Sequence, residues 1–217
     1  KKWLLELDDK EKIELVYMPS EDRGYIPNSQ VYDKVFGKNR WKSLNIVSLS
    51  IGQGEITATP IQIANLAATI ANKGYWYTPH FLKSAEGADT TIVFEKHNVS
   101  IEKQYFDPII KGMEMAVNAT DGGTARIARI DSIVVCGKTG TAQNPHGEDH
   151  SVFMAFAPKD NPRIAIAVLV ENAGFGATWA APIASLMMEK YLKGEIDPKR
   201  KWLEDRVSGS VILPKRQ

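Results

Sequence analysis

Cys136-Gly137-Lys138-Thr139-Gly140-Thr141-Ala142-Gln143 brings an ammonium, three hydroxyl or amide side chains and two glycines into eight residues. An ammonium and a hydroxyl side by side can hold a carboxylate, and backbone N–H groups left open on an extended chain can hold a developing oxyanion. Glycines at 137 and 140 leave room for another chain to come close to the backbone. The stretch follows Ile133-Val134-Val135, a β-branched run that reads as the start of a buried strand. Cys136 is the single cysteine, so no internal disulfide can form. It falls inside the strand pattern and reads as a small buried hydrophobe rather than a nucleophile.

Other reactive-looking groups read differently. Asp149-His150-Ser151 cannot converge as a proton relay, because neighbouring side chains of an extended chain point to opposite faces. His146, Glu148, Asp149 and His150 read as a polar connection between strands rather than metal ligands. Arg126 and Arg129 read as a solvated face, and His80 as a packed or surface histidine. No metal or other cofactor is expected. A charge of +1 over 217 residues gives no reason to expect nucleic acid as a partner. No run of about 18 apolar residues is present to span a bilayer.

The elements that must position the Lys-Thr-Gly stretch follow from pattern. Thr59-Pro60 predicts a helix start, a hydroxyl cap followed by proline at the first helical position. Ile63, Leu66, Ala67 and Ile70 recur at helical spacing, and Gly74 closes the helix. Asp107-Pro108 predicts a second helix, buried through Ile109, Met113, Ala116 and Val117. Residues 151–157 and 163–171 read as strands that follow the central one through short turns, which predicts an antiparallel meander. Both faces of 163–171 are apolar, so the sheet should be covered on both sides. A last helix is expected over 178–192, facing inward through Pro182, Ile183, Leu186, Met187 and Tyr191. Tyr25 to Arg40 reads as an irregular surface segment with one short helix, and Trp41 to Ile51 as a lead-in to Gly52-Gln53-Gly54. That pair of glycines suggests a tight backbone path beside a cleft. Residues 75–82 read as extended, 84–103 as a small hairpin excursion, and 1–18 as a short helix followed by an extended piece. The fold class expected is α/β (α+β), an antiparallel sheet packed between helices. The globule spans 1–193, and 194–217 reads as a charged, mobile tail.

Gly137 to Gln143 resembles the third motif of penicillin-binding transpeptidases almost letter for letter. Gly52 to Gln62, Gly74 to Pro79, His150-Ser151, Phe156-Ala157-Pro158 and Glu171-Asn172 extend the likeness. Together they resemble the class B penicillin-binding proteins, and most nearly the elongation-type members. The resemblance implies a penicillin-binding peptidoglycan D,D-transpeptidase that works through a serine acyl-enzyme, at the outer face of the cytoplasmic membrane. It implies stem peptides and β-lactam antibiotics as ligands. It also implies an upstream membrane anchor, and a glycosyltransferase and elongation-machinery proteins as partners. By the same resemblance Lys138 sets the electrostatics around the serine and helps hold the substrate carboxylate. Thr139 hydrogen-bonds that carboxylate, Gly140 lets substrate lie along the strand edge, and the Thr141 N–H forms half of the oxyanion hole.

The family also uses Ser-x-x-Lys and Ser-x-Asn motifs. Ser100-Ile101-Glu102-Lys103 and Ser43-Leu44-Asn45 match formally but stand in reversed order, and Ser100 lies in a polar excursion rather than at the start of an apolar helix. The nucleophile is therefore expected upstream of Lys1, with this chain the C-terminal part of the domain and inactive alone. A D,D-carboxypeptidase or serine β-lactamase-like hydrolase, or a non-catalytic peptidoglycan- or partner-binding module of the same fold, are the competing readings.

Overall fold

A computed structural model describes residues 24–80 and 94–212. The expectations for 1–18, and the parts of those for 75–82, 84–103 and 194–217 that fall on 81–82, 84–93 and 213–217, lie outside the described residues.

The centre is a three-stranded antiparallel sheet. Strand β3 (Cys136–Ala142) pairs with β4 (His150–Ala157), which pairs with β5 (Ile164–Val170). The register sets Lys138 opposite Met154, Thr139 opposite Phe153 and Thr141 opposite Ser151. The meander expected from the alternating apolar residues is present. The central strand starts later than expected, because Ile133 turns back to bridge Ile130 before Cys136 enters the ladder.

Both faces of the sheet are covered. Helix α5 (Ala180–Lys193) packs on β4 and β5. Phe153, Ala155, Val135, Ala181, Ala184 and Met188 are buried between them. Helices α3 (Pro60–Ala71) and α4 (Phe106–Asn118) cover the opposite face, where Ile70, Phe106, Ile110, Met113, Cys136 and Phe156 form a second core. Cys136 is fully buried there, and burial pushes its thiol pKa up to about 12.

Local chemistry sets the helix starts. The Thr59 hydroxyl accepts from Gln62 N–H, the Gln62 side chain accepts from Thr59 N–H, and Pro60 opens the first turn. Asp107 does not cap α4, since a 3₁₀ turn at Lys103–Tyr105 runs straight into Phe106 and leaves Asp107 in the first helical turn. Leu66 and Ile109, expected inside, are about half exposed, and so are Met187 and Tyr191 on α5. Apolar residues lie on more than one side of α3 and α5, so periodicity could not choose the buried stripe there. In α5 it runs through Ala181, Ala184, Ser185 and Met188, where small side chains let helix and sheet approach closely.

Strand β1 (Tyr75–Tyr77) pairs antiparallel with β2 (Lys96–Asn98) as a separate ribbon, with the Trp76 and His97 rings stacked. Ahead of α3 lie α1 (Ser29–Phe36) and α2 (Ser43–Ser50). The second of these replaces the expected featureless lead-in.

Residues 194–212 of the stretch expected to be a mobile tail are ordered. A 3₁₀ turn at Pro198–Arg200 leads into α6 (Lys201–Gly209), which buries Leu203. Arg200 reaches back to α5, donating to Glu189 at 2.6 Å and to the Ser185 hydroxyl at 2.7 Å. A charge-rich sequence reads as solvated, yet here Arg200 pairs with a buried carboxylate of the preceding helix.

Candidate active-site strand

β3 is an edge strand, with β4 on one side. Along an antiparallel strand the N–H and C=O of one residue point the same way, and the direction alternates. Thr139 O and Thr141 O accept bonds from side chains rather than from β4, so residues 139 and 141 present their backbone groups on the outer edge. The Thr141 N–H therefore lies on that edge, between the carbonyls of Thr139 and Thr141. Side-chain direction alternates as well. Lys138 shares a face with Cys136 and Met154, on the α3 and α4 side, while Thr139 and Thr141 share the α5 face with Phe153 and Ser151.

The exposed Lys138 ammonium bends round the edge and donates to Thr139 O at 2.6 Å. The Thr139 hydroxyl donates to that of Thr124, 3.3 Å away, in the loop after α4. Gln53 comes from far off in sequence. Its Nε2 donates to Thr141 O at 2.7 Å, and its Oε1 lies 3.4 Å from the Gln143 N–H. Gly52 and Gly54 on either side take φ of 76° and 81°, the left-handed region in which a Cβ is strained. The tight backbone path expected from these two glycines is found, and it runs beside β3. The involvement of Thr124 was not foreseen, and nothing local marks it in the sequence.

Gly137 serves internal packing, whereas a Cβ at Gly140 would meet Val152 no closer than 3.3 Å. A Cβ at Gly137 would strike the Phe153 ring. The chain that approaches Gly140 is the protein's own, since Gly176 sits so close that a Cβ on it would press on the backbone oxygens of Gly140 and Val152. Ser151 holds that crossing loop. Its buried hydroxyl donates to Phe175 O at 2.9 Å and accepts from Ala180 N–H at 3.1 Å, which pins the start of α5 to β4.

Asp149, His150 and Ser151 turn to three separate sets of partners. The Asp149 carboxylate accepts from Asn144 N–H, the His150 ring from Asn172 N–H, and the Ser151 hydroxyl bonds as just described. Ser43 is exposed at the first residue of α2, and the Asn45 side chain accepts from Lys42 N–H to close that helix start. Ser100 lies in an exposed bend, with Lys103 opening the 3₁₀ turn. Neither pair is joined to β3 by any hydrogen bond among the described residues. Among them, too, no group of three or more His, Cys, Asp and Glu could hold a metal ion, and no helix is long and apolar enough to cross a membrane.

An edge strand carrying Lys-Thr-Gly-Thr, backed by helices on both faces, defines the class. The model of the penicillin binding protein transpeptidase domain matches residues 17–189. The chain belongs to that family. It is 33% identical over 208 residues to the peptidoglycan D,D-transpeptidase MrdA of Haemophilus influenzae, which covers 86% of this chain and 32% of that protein. The crystal structure of Pseudomonas aeruginosa PBP2 in complex with WCK 5153 superposes with a TM-score of 0.67 at 33% identity, over 81% of this chain and 39% of that one. PBP2 of Helicobacter pylori, solved in complex with MreC, gives 0.67 at 26% identity over 89% of this chain and 37% of that one. The chain thus spans about a third of the length of the curated relative it matches.

Proposed function

We propose that this chain supplies the substrate-docking edge of a penicillin-binding peptidoglycan D,D-transpeptidase, whose nucleophilic serine lies outside these 217 residues. The observation that carries the reading is the outer edge of β3, where the Thr139 and Thr141 backbone groups face outward beside the Lys138 ammonium and the Thr139 hydroxyl. A peptide adds to such an edge as one more strand. Lys138 and Thr139 then hold its carboxylate, and the reacting carbonyl oxygen rests against the Thr141 N–H. The serine hydroxyl attacks the carbonyl carbon of a D-Ala-D-Ala bond, D-Ala leaves, and the acyl group passes to an amine of a second stem peptide. β-Lactams enter the same edge and trap the serine.

The family likeness supports an envelope setting, with the domain on the outer side of the cytoplasmic membrane and an anchor elsewhere in the protein. The complex of the Helicobacter pylori relative with MreC supports partners among elongation-machinery proteins, together with a glycosyltransferase. The residues 1–193 form the C-terminal part of the domain under this reading, with α6 packed on as its last element.

Labelling with a fluorescent penicillin tests it, on the full-length gene product and on the 217-residue chain, with mass mapping of the adduct. Labelling of the full-length protein alone, at a serine outside these residues, is the expected result. Lys138→Ala in the full-length protein should slow labelling about 10- to 100-fold, the worth of one hydrogen bond to a charged group. An adduct at Ser100 in the short chain would overturn the placement of the serine. No labelling of either would turn the reading to a non-catalytic module.

A further inference from the structure

We infer that Gln53 is a positioning residue that ends the docking edge of β3 and holds the Thr141 peptide in place for the oxyanion. The inference rests on the transpeptidase reading of that edge. The two groups Gln53 engages, Thr141 O and Gln143 N–H, flank Ala142. A residue on a neighbouring parallel strand makes that same pair of bonds, donating to the carbonyl before its opposite number and accepting from the N–H after it. The Gln53 carboxamide therefore acts as a single residue of an added strand.

Two consequences follow for the site. First, the far end of the edge is occupied. A docking peptide finds the Thr139 groups and the Thr141 N–H, and the edge beyond is closed by the side chain. Second, the Thr141 carbonyl is tied at 2.7 Å, the shorter of the two contacts. Its N–H and C=O share one Cα, so fixing the carbonyl limits rotation of the residue that carries the oxyanion donor. Such a donor works because it is already oriented when charge develops.

The clamp is itself anchored. Gln53 N–H donates to Ser48 O at 3.0 Å, and Gly52 N–H to Leu49 O at 3.0 Å, so the loop hangs on the last turn of α2. Tyr25 and Thr57 exchange backbone bonds and the Tyr32 hydroxyl donates to Glu55 at 2.8 Å, which closes the segment on itself. Without the Gln53 bond the segment therefore keeps its own shape, and its chain still runs on through Thr57 into the start of α3, which separates positioning from mere tethering.

The test uses the full-length protein with Gln53→Ala and Gln53→Glu. The glutamate keeps the length but loses the N–H and sets a carboxylate against the Thr141 carbonyl. Limiting acylation rate and half-saturation concentration are read separately with a chromogenic cephalosporin or labelled penicillin, alongside the melting temperature. We expect the limiting rate to fall about tenfold in Gln53→Ala and further in Gln53→Glu. Half-saturation should move less than about twofold and the melting temperature less than about 2 °C. An unchanged or faster limiting rate overturns the inference, as does a slower rate that appears only with a matching loss of melting temperature. A wild type that never acylates removes the transpeptidase reading and this role with it. A wild type that acylates while both variants match it removes the role of Gln53 alone.

Discussion

The sheet with its helices and the segment from residue 24 to 57 are held by opposite means. Around β3, β4 and β5 apolar side chains face one another, and even the polar groups brought inside are paired. Glu189 is fully buried, with Arg200 and Lys193 donating to it at 2.6 and 3.2 Å. In the earlier segment, Tyr32 is the one buried side chain of α1, and α2 has none. Ile26, Leu44 and Ile51 are each more than two-thirds exposed. Bonds from Tyr32 to Glu55 and between Tyr25 and Thr57 close this segment on itself, and the bonds of Gln53 join it to β3. The contrast teaches that stability and site geometry come from different parts of the chain. The core carries the first, while a weakly buried segment reaches across to finish the second.

The largest effect expected is at Glu189. Glu189→Ala leaves Arg200 buried against Ser185 with its counter-charge gone, and should cost about 3–5 kcal/mol in a denaturant titration. A cost within the range of a surface change would erase the contrast between the regions. Gly176→Ala comes next. Its Cβ meets the backbone of Gly140 and Val152, which cannot give as a flexible side chain would, and about 1–3 kcal/mol should be lost. In the full-length protein the same change should slow penicillin labelling, because the strain falls on Gly140.

A smaller, pH-dependent effect is expected at Glu114. Hydrogen bonds from Lys159 and Lys111 hold its carboxyl below the ordinary value of 4.5. A carboxyl depressed in the folded state contributes stability above its unfolded pKa, and the contribution is lost as pH falls through the folded one. The stability difference between the wild type and Glu114→Gln should thus be full near neutrality and shrink as pH drops below about 4.5, seen in melting curves across pH. Cys136 sharpens the same point about the core. Buried, and with its thiol pKa at about 12, it should resist alkylation at pH 8 until the protein unfolds. The smallest effect should be at Leu44, where Leu44→Ser should change stability by less than about 0.5 kcal/mol. A larger loss in the full-length protein than in this chain would show that α2 is covered there.

Much of the fold was legible because its signals are local. Thr59, Pro60 and Gln62 mark a helix start within four residues, and the alternation from Val152 to Val170 marks two strands and the turn between them. The Lys138 to Thr141 stretch was legible as a candidate site because its residue types stand together. The buried face of α5 was legible only in part: Pro182 and Leu186 are inside as expected, but Met187 and Tyr191 are exposed, and only the neighbouring sheet selects among the apolar residues. Helix α6 was not legible, since its docking shows only once Leu203 is buried and Arg200, in the turn before it, is seen against Glu189.

By itself, then, the sequence determined which residues form the central meander, where α3 begins, and which four residues stand ready on an edge. Each depends on groups a few positions apart, whose bonds and periodicity close within one element. The tertiary structure alone decided that Gln53 meets Thr141, that Thr124 meets Thr139, that Ser151 pins the start of α5 rather than reacting, and that Gly176 fills the space beside Gly140. These contacts join groups 15 to 88 residues apart. No pattern of neighbouring side chains encodes such a meeting, because it exists only once the packed faces of the sheet have brought the loops together.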